Sequence, residues 1–388
     1  MTGDRRWAIA LVVLGAATRL GAAFWLGGSF HFVDEAIYVD AARRLLAGEG
    51  FGASYNNVPG YPVVLAALAA PWPDHVTLIR AAQAVTTALG VVPLLWLGRR
   101  LLGPWPARVA GVLYALDPLM AVSGALLYAE AVATIMLLLT LLAAWSAVPD
   151  RLPWSVVAGL LLGILAQLRP VALVLTPFVA AWIAACTSHR PLRHELAVMA
   201  GCGLALVPWT LRNYHVHGGL VPISTAGTQS APVDPEDVSE RGLAASMVRG
   251  MWHDPAGTVG RIANEFAYFW APYPTRLSTD RAERREAFHE EDPRLPTEVT
   301  FSPGLRDRVS ALSFGVEMTF ALAGAVLAWR RHPAAAVLLL GVCIVYGLGY
   351  ALIIGKLRYR IPVLPCVFLI AGVAAERIPW LVRRQPVV

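Results

Sequence analysis

Two adjacent carboxylates, Asp34 and Glu35, open the stretch HFVDEAIYVDAARRLLAGEGFGASYNNVPGYP that runs from His31 to Pro62. The run before them, Trp7 to Leu26, is apolar and long enough to span a bilayer. Such a pair offers a proton acceptor at a membrane surface. Asp34 equally suits an N-cap that accepts backbone N–H bonds from the first turn of a following helix. Further along, Glu130 lies inside an apolar run. An ionisable group at membrane depth costs roughly 2.5–3.5 kcal/mol on insertion scales, so Glu130 is either functional or half of an ion pair, here with Arg80 or Arg169. The candidate cations gather at three points: Arg169 before Pro170, Arg212 beside Asn213, and Lys356, Arg358 and Arg360 in KLRYRIP. Arginine grips phosphate bidentately and lysine supplies a compact point charge, so their convergence would make an anion site. Scattered, they are interface residues whose charged ends reach lipid headgroups.

The elements that must position these groups are helices. Ala36 to Leu46 reads as amphipathic, with Ile37, Ala41 and Leu45 beside Tyr38, Ala42 and Leu46 on one face and Asp40, Arg43 and Arg44 on the other. Gly48 is placed to end it, and the helix would lie along a membrane surface. The 388-residue chain is 57% hydrophobic and 15% charged, with mean hydropathy +0.56. A soluble domain averages about 25% charged residues, so the composition predicts an all-α polytopic membrane protein. Apolar runs near 7–26, 77–98, 106–119, 124–147, 153–168, 171–187, 195–211, 309–329, 334–354 and 360–380 predict about ten spans. The first is too long for a signal-peptide core and lacks a small-residue cleavage site, which makes it an uncleaved span. Arg5 and Arg6, Arg99, Arg100 and Arg108, Arg151, Arg190 and Arg193, Arg330 and Arg331, and Arg383 and Arg384 then share one side. The positive-inside rule makes that side cytoplasmic, with both termini there. The first loop (27–76), the long segment 212–308 and the turn around Lys356 face outside. The long segment holds a helical stretch around Glu240 to Trp270 and the run DRAERREAFHEED, a solvated helix face, and is expected to cap the bundle.

The formal net charge of +6 comes from 32 basic residues, Lys356 the single lysine among them, against 26 acidic ones. In a membrane protein that excess fits topology and lipid-phosphate contact, and no basic stripe interleaved with aromatics points to nucleic acid. Cys186, Cys202, Cys343 and Cys366 show no CxxC spacing, so neither a zinc site nor a disulfide framework is suggested. No ligand set demands a metal cofactor, although Asp34 or Glu35 with Glu130 could hold a divalent ion. The arginine-rich, lysine-poor usage fits a GC-rich bacterial genome and hence a plasma (inner) membrane protein.

VDEAIYVDAARRLLAGEGF followed by PGYP, then PWTLRNY and RYRIPVLP, resemble the GT-C-fold glycosyltransferases that use polyprenyl-phosphate sugars, related to protein O-mannosyltransferases and lipid A aminoarabinose transferases. The resemblance runs from the first span to the tenth, and the order of the motifs on one membrane face makes it specific. It implies one transmembrane domain with an extracytoplasmic active site and a polyprenyl-phosphate sugar as donor. It implies that Asp34, with Glu35 beside it, is the base that deprotonates an acceptor hydroxyl or amine for an inverting displacement through an oxocarbenium-like transition state. Lys356, Arg358 and Arg212, with Arg360 behind them, would stabilise charge on the departing lipid phosphate. Tyr61 and Tyr359 would position the sugar or the lipid headgroup, with Tyr38, Arg169 and Asn213 completing the binding set. Glu130 and Asp117 are the candidates for a second acidic residue. Larger members carry a sizeable C-terminal extramembrane domain, whereas this sequence ends soon after its last span. A small or lipid-linked acceptor is therefore expected ahead of a protein. A transporter or flippase for a lipid-linked or anionic substrate would use the same cations but should show Gly/Pro-broken helices in two related halves, and the sequence shows no such repeat. A scaffold has no use for a one-sided acidic and basic constellation.

Overall fold

The computed structural model describes residues 2–52, 55, 57–224, 243–274, 289–290, 292–295 and 303–376. The described residues form helices and connections, without strands. Helix α1 spans Thr2–Leu26, and α2 (Val33–Leu46) and α3 (Gly60–Ala69) follow it in the first loop. Next come α4 (Val76–Ala88), α5 (Val91–Leu101), α6 (Pro104–Leu116), α7 (Pro118–Ala125), α8 (Ala129–Ala147) and α9 (Leu152–Leu168). A 3-10 turn at Pro170–Val174 leads into α10 (Leu175–Cys186) and α11 (Pro191–His217). The long segment contributes α12 (Leu243–His253) and α13 (Pro255–Phe269), and the chain closes with α14 (Pro303–Arg331), α15 (Pro333–Ile353), a 3-10 segment Leu357–Val363 and α16 (Leu364–Ala375).

Among the described residues, seven helical stretches are long and apolar enough to cross a membrane: 5–26, 76–101, 129–147, 191–217, 304–331, 333–353 and 357–375. Shorter apolar helices occur at 60–69, 152–168 and 170–186. Of the ten runs expected, those near 153–168 and 171–187 form such shorter helices, and the one near 106–119 divides at Asp117 into α6 and α7. Side-chain contacts give the run of the chain. The α1 and α6 pair is parallel, since Thr18 donates to the Ala115 carbonyl at 2.8 Å and Arg108 lies over the Trp7 ring. Helices α10 and α15 are antiparallel, with Trp182 donating to the Ala334 carbonyl at one end and Gly349 against Val171 at the other. Arg383, Arg384 and most of the charged run lie outside the described residues.

Local chemistry sets the breaks. Pro118 fits the first position of α7, where no N–H is required, and the Asp117 carboxylate caps that helix by accepting the Met120 amide at 2.7 Å. Gly48 sits at φ +79 after Ala47 and ends α2 as the sequence predicts. The start of α2 differs from expectation. Phe32, not Asp34, holds the cap position, and Asp34 makes no capping bond because its carboxylate has an arginine partner. The buried face of α2 is also rotated from the expected stripe, and it carries Glu35, Ala36, Tyr38, Val39, Ala41 and Ala42 while Ile37 and Leu46 are exposed. Glu35, drawn inward by Arg80, and Tyr38, drawn against Tyr61, set that rotation.

Candidate active site

At the helix ends around α2, Asp34 and Arg358 meet across 324 residues of sequence, with Arg358 Nη2 donating to Asp34 Oδ2 at 2.7 Å. Asp34 remains open to solvent, its side chain 41% exposed, while Arg358 is at 28%. Burial alone would raise the Asp34 carboxyl, but Arg358, with Arg169 and Lys356 beyond it, outweighs that and holds the carboxyl below the usual carboxylate range. Glu130, in the first turn of α8 and almost fully buried, pairs with Arg169 and lies 3.6 Å from Arg358 Nε. Of the two partners considered for Glu130, the structure selects Arg169. Arg169 itself ends α9 just before Pro170, so the α9 turn delivers it to this place.

Tyr359 organises the cations. Arg358, Arg169 and Lys356 lie 5.3, 5.6 and 5.7 Å from its ring centroid, and the ring stacks on Tyr350 at 4.4 Å. Such contacts favour each cation by about 0.5–2 kcal/mol, more as water is excluded. Among the described residues, the three cations around the Tyr359 ring face two carboxylates, Asp34 and Glu130, which leaves one positive charge in excess at the ring: a setting for a further anion. Tyr38 lines the α2 side, where burial pushes its phenol up to about 12 and keeps it neutral.

The other predicted residues have different surroundings. Glu35 faces away from Asp34 into a fully buried ion pair, with Arg80 Nη1 donating to its Oε1 at 2.6 Å. The Leu127 and His31 amides donate to the same carboxylate at 2.9 and 2.7 Å. Arg80 also donates to the carbonyls of Gly27, Ser29 and Ala125, so the pair ties α2, α4 and the α7–α8 turn together. Tyr61 is fully buried and donates to Gln83 at 2.7 Å, standing behind Tyr38 edge-to-face at 4.9 Å. Arg212 reaches back to the first loop, donating to the Gly52 and Tyr55 carbonyls and covering the Trp209 ring. Asn213 holds the carbonyls of Val221 and Ile223. Arg360 points into the bundle, donating to the Ala271 carbonyl with its guanidinium 3.6 Å from the Phe314 centroid. Two residues on from Arg358 in a three-per-turn helix, it emerges on another face, so the expected grouping of Arg212 and Arg360 with Arg358 is not what this structure assembles.

Two residues of the cluster went unread in the sequence. The Tyr128 ring lies under the Arg358 guanidinium at 4.4 Å, with its hydroxyl buried, and Tyr350 supports Tyr359 from behind. An aromatic two residues before Glu130 in LLYAEA was the available signal. Among the described residues, no three His, Cys, Asp or Glu side chains group as metal ligands would. Glu35 and Glu130 are each committed to an arginine.

Comparison with known proteins adds the architecture. Residues 58–211, less than half of the chain, match a family model described as dolichyl-phosphate-mannose-protein mannosyltransferase. Among solved structures, the chain is similar to ArnT of Cupriavidus metallidurans bound to undecaprenyl phosphate, with TM-score 0.60, 14% identity, and 96% of this chain and 60% of that one covered. The chain has the GT-C fold. It is also similar to the oligosaccharyltransferase AglB of Archaeoglobus fulgidus, a complex with an inhibitory peptide and a dolichol-phosphate, at TM-score 0.54 and 11% identity over 99% of this chain and 53% of that one. The apo oligosaccharyltransferase of the same archaeon matches at TM-score 0.56 and 14% identity, over 95% of this chain and 50% of that one. The chain thus spans between half and three-fifths of the length of these proteins. No curated protein matches the sequence significantly.

Proposed function

We propose that this GT-C-fold protein is an inverting glycosyltransferase that moves a sugar from a polyprenyl-phosphate donor to an acceptor at the extracytoplasmic membrane face. The observation that carries the reading is the direct pairing of an open carboxylate, Asp34, with a phosphate-competent cation, Arg358, inside a cluster one positive charge in excess. Support for the donor class comes from the family match and from neighbours bound to dolichol-phosphate and undecaprenyl phosphate. A lipid-borne donor arrives laterally, which suits a site at helix ends.

The reaction follows from these groups. Donor phosphate takes up Arg358 and Lys356, releasing Asp34 from its ion pair. The freed carboxylate accepts the proton of the acceptor hydroxyl or amine as that atom bonds to the anomeric carbon. The bond from that carbon to the phosphate oxygen breaks, its electron pair stays on phosphate, and the cations stabilise the second charge developing there. Glu130 and Arg169 hold Arg358 and Tyr359 in place, and Glu35 with Arg80 fixes the α2 segment that carries Asp34. The long segment 212–308, through α13, covers this end: Glu265 accepts the Gly355 amide at 2.8 Å, next to Lys356.

The test is Asp34→Asn in lipid nanodiscs charged with polyprenyl-phosphate sugars. Transfer should fall by at least about 10²-fold, the low end of a general base's contribution, while undecaprenyl phosphate still binds. Full turnover would remove Asp34 as base. If the parent chain and the variant alike transfer no sugar but move lipid-linked substrate across the bilayer, the protein is a flippase instead.

A further inference from the structure

Apart from the Asp34 site, Asp117 and Glu317 bring two carboxyl groups together inside the bundle, where their side chains hydrogen-bond one another. We infer that this pair is a proton-binding site, in which Glu317 is a neutral acid that donates to the Asp117 carboxylate.

Two carboxylates cannot share a hydrogen bond, because each only accepts; one of the two must carry a proton. Both residues are buried, and Glu317 lies near the middle of the candidate span 304–331. The local structure assigns the proton. Asp117 stands at the N-terminus of α7 and accepts the Met120 amide at 2.7 Å, and both the amide and the helix end favour its charged form. Glu317 has no hydrogen-bond partner besides Asp117 among the described residues, so no other donor supports a charge on it.

The surrounding charges agree. Arg360 is the one cation among the described residues that faces Glu317, and it faces Asp117 as well, yet it makes a direct ion pair with neither. Its guanidinium is fully buried, with Nε and Nη2 unpartnered, while Nη1 serves the Ala271 carbonyl. The group lies over Phe314, three residues before Glu317 on α14, which keeps it on this side of the helix. Arg19, the other cation facing Asp117, is held by the Gly15 and Tyr114 carbonyls. One guanidinium standing off from the pair balances one carboxylate and leaves the second to a proton. A metal ion would compete with the carboxyl–carboxyl bond for the same oxygens and be repelled by Arg360. Arg360 belongs to the 3-10 segment that also carries Arg358, so loss of the proton would add a negative charge facing that segment.

The test is infrared spectroscopy of the full chain in nanodiscs of ether lipids, which lack ester carbonyls, with the protein's glutamate or aspartate carboxyls labelled with carbon-13. At neutral pH the carbonyl band of a protonated carboxylic acid should be present, shift with the glutamate label and not with the aspartate label, and be lost in Glu317→Gln. Glu376→Gln, at the end of α16, should keep the band. Asp117→Asn, which replaces the charged acceptor by an amide, should shift or remove it. A parent chain without the band, a band that follows the aspartate label, a band that survives Glu317→Gln or one unmoved by Asp117→Asn would each overturn the assignment. The labelled parent chain decides between the two acids even if a variant fails to fold. Sugar transfer is not the readout, so the outcome is separate from that of the Asp34 reading.

Discussion

Replacing Glu35 by Gln separates its structural role from a catalytic one. The carboxylate and its partner Arg80 are both fully buried, 2.6 Å apart, and Glu35 also accepts two backbone amides. Glutamine keeps the size but removes the charge, leaving the Arg80 guanidinium facing only carbonyls. Breaking one side of a buried pair costs about 3–5 kcal/mol, because the remaining charge is uncompensated. Changing Arg80 to Met should cost a similar amount, and the double variant should lose much less than the sum of the two. Chaotrope unfolding of the four proteins in lipid nanodiscs measures this directly. If the Gln variant is as stable as the parent yet fails to transfer sugar, Glu35 is part of the chemistry and the division of labour between the two acids is wrong.

The pairing of Asp34 with Arg358 predicts the pH profile. A carboxyl held below the usual range stays ionised as pH falls and gains its proton only at the folded, depressed value, so the acid limb of kcat/KM for the donor should lie at lower pH than an ordinary carboxylate would give. Once donor phosphate occupies Arg358, the carboxyl rises, and the acid limb of kcat should lie at higher pH than that of kcat/KM; coincident limbs would mean Arg358 never leaves Asp34. Arg358→Ala should weaken undecaprenyl phosphate binding and slow transfer together, whereas unchanged kinetics would move the phosphate site elsewhere. Gly159→Leu should destabilise the bundle, since even a Cβ there would clash with the Val198 carbonyl of α11; a parent-like unfolding midpoint would show that α9 and α11 have room to separate.

Periodicity and charge made the bundle legible. The all-helical architecture, the apolar stretches long enough to cross a membrane and the stop at Gly48 all follow from local patterns. The site was legible in its residue types but not in their directions. Asp34, Glu130, Arg169, Lys356, Arg358 and Tyr359 come together because each stands at or beside a helix end, and Tyr38 joins them from one turn further along α2. Glu35 turns inward and Arg360 emerges on a different face because neighbours one and two positions apart on a helix point apart, and only tertiary partners decide which one faces solvent. Arg212 is held by backbone carbonyls of the first loop, a contact with no sequence signature. Tyr128 went unread because a tyrosine in an apolar run looks like core until the cation above it is known.

The most direct measurement is an electron cryomicroscopy structure of the protein in nanodiscs with undecaprenyl phosphate. The account predicts a phosphate within hydrogen-bonding distance of Arg358 and Lys356, with the Asp34–Arg358 pair opened and Asp34 facing the same space. A phosphate bound away from Arg358, with the 2.7 Å pair intact, would contradict it.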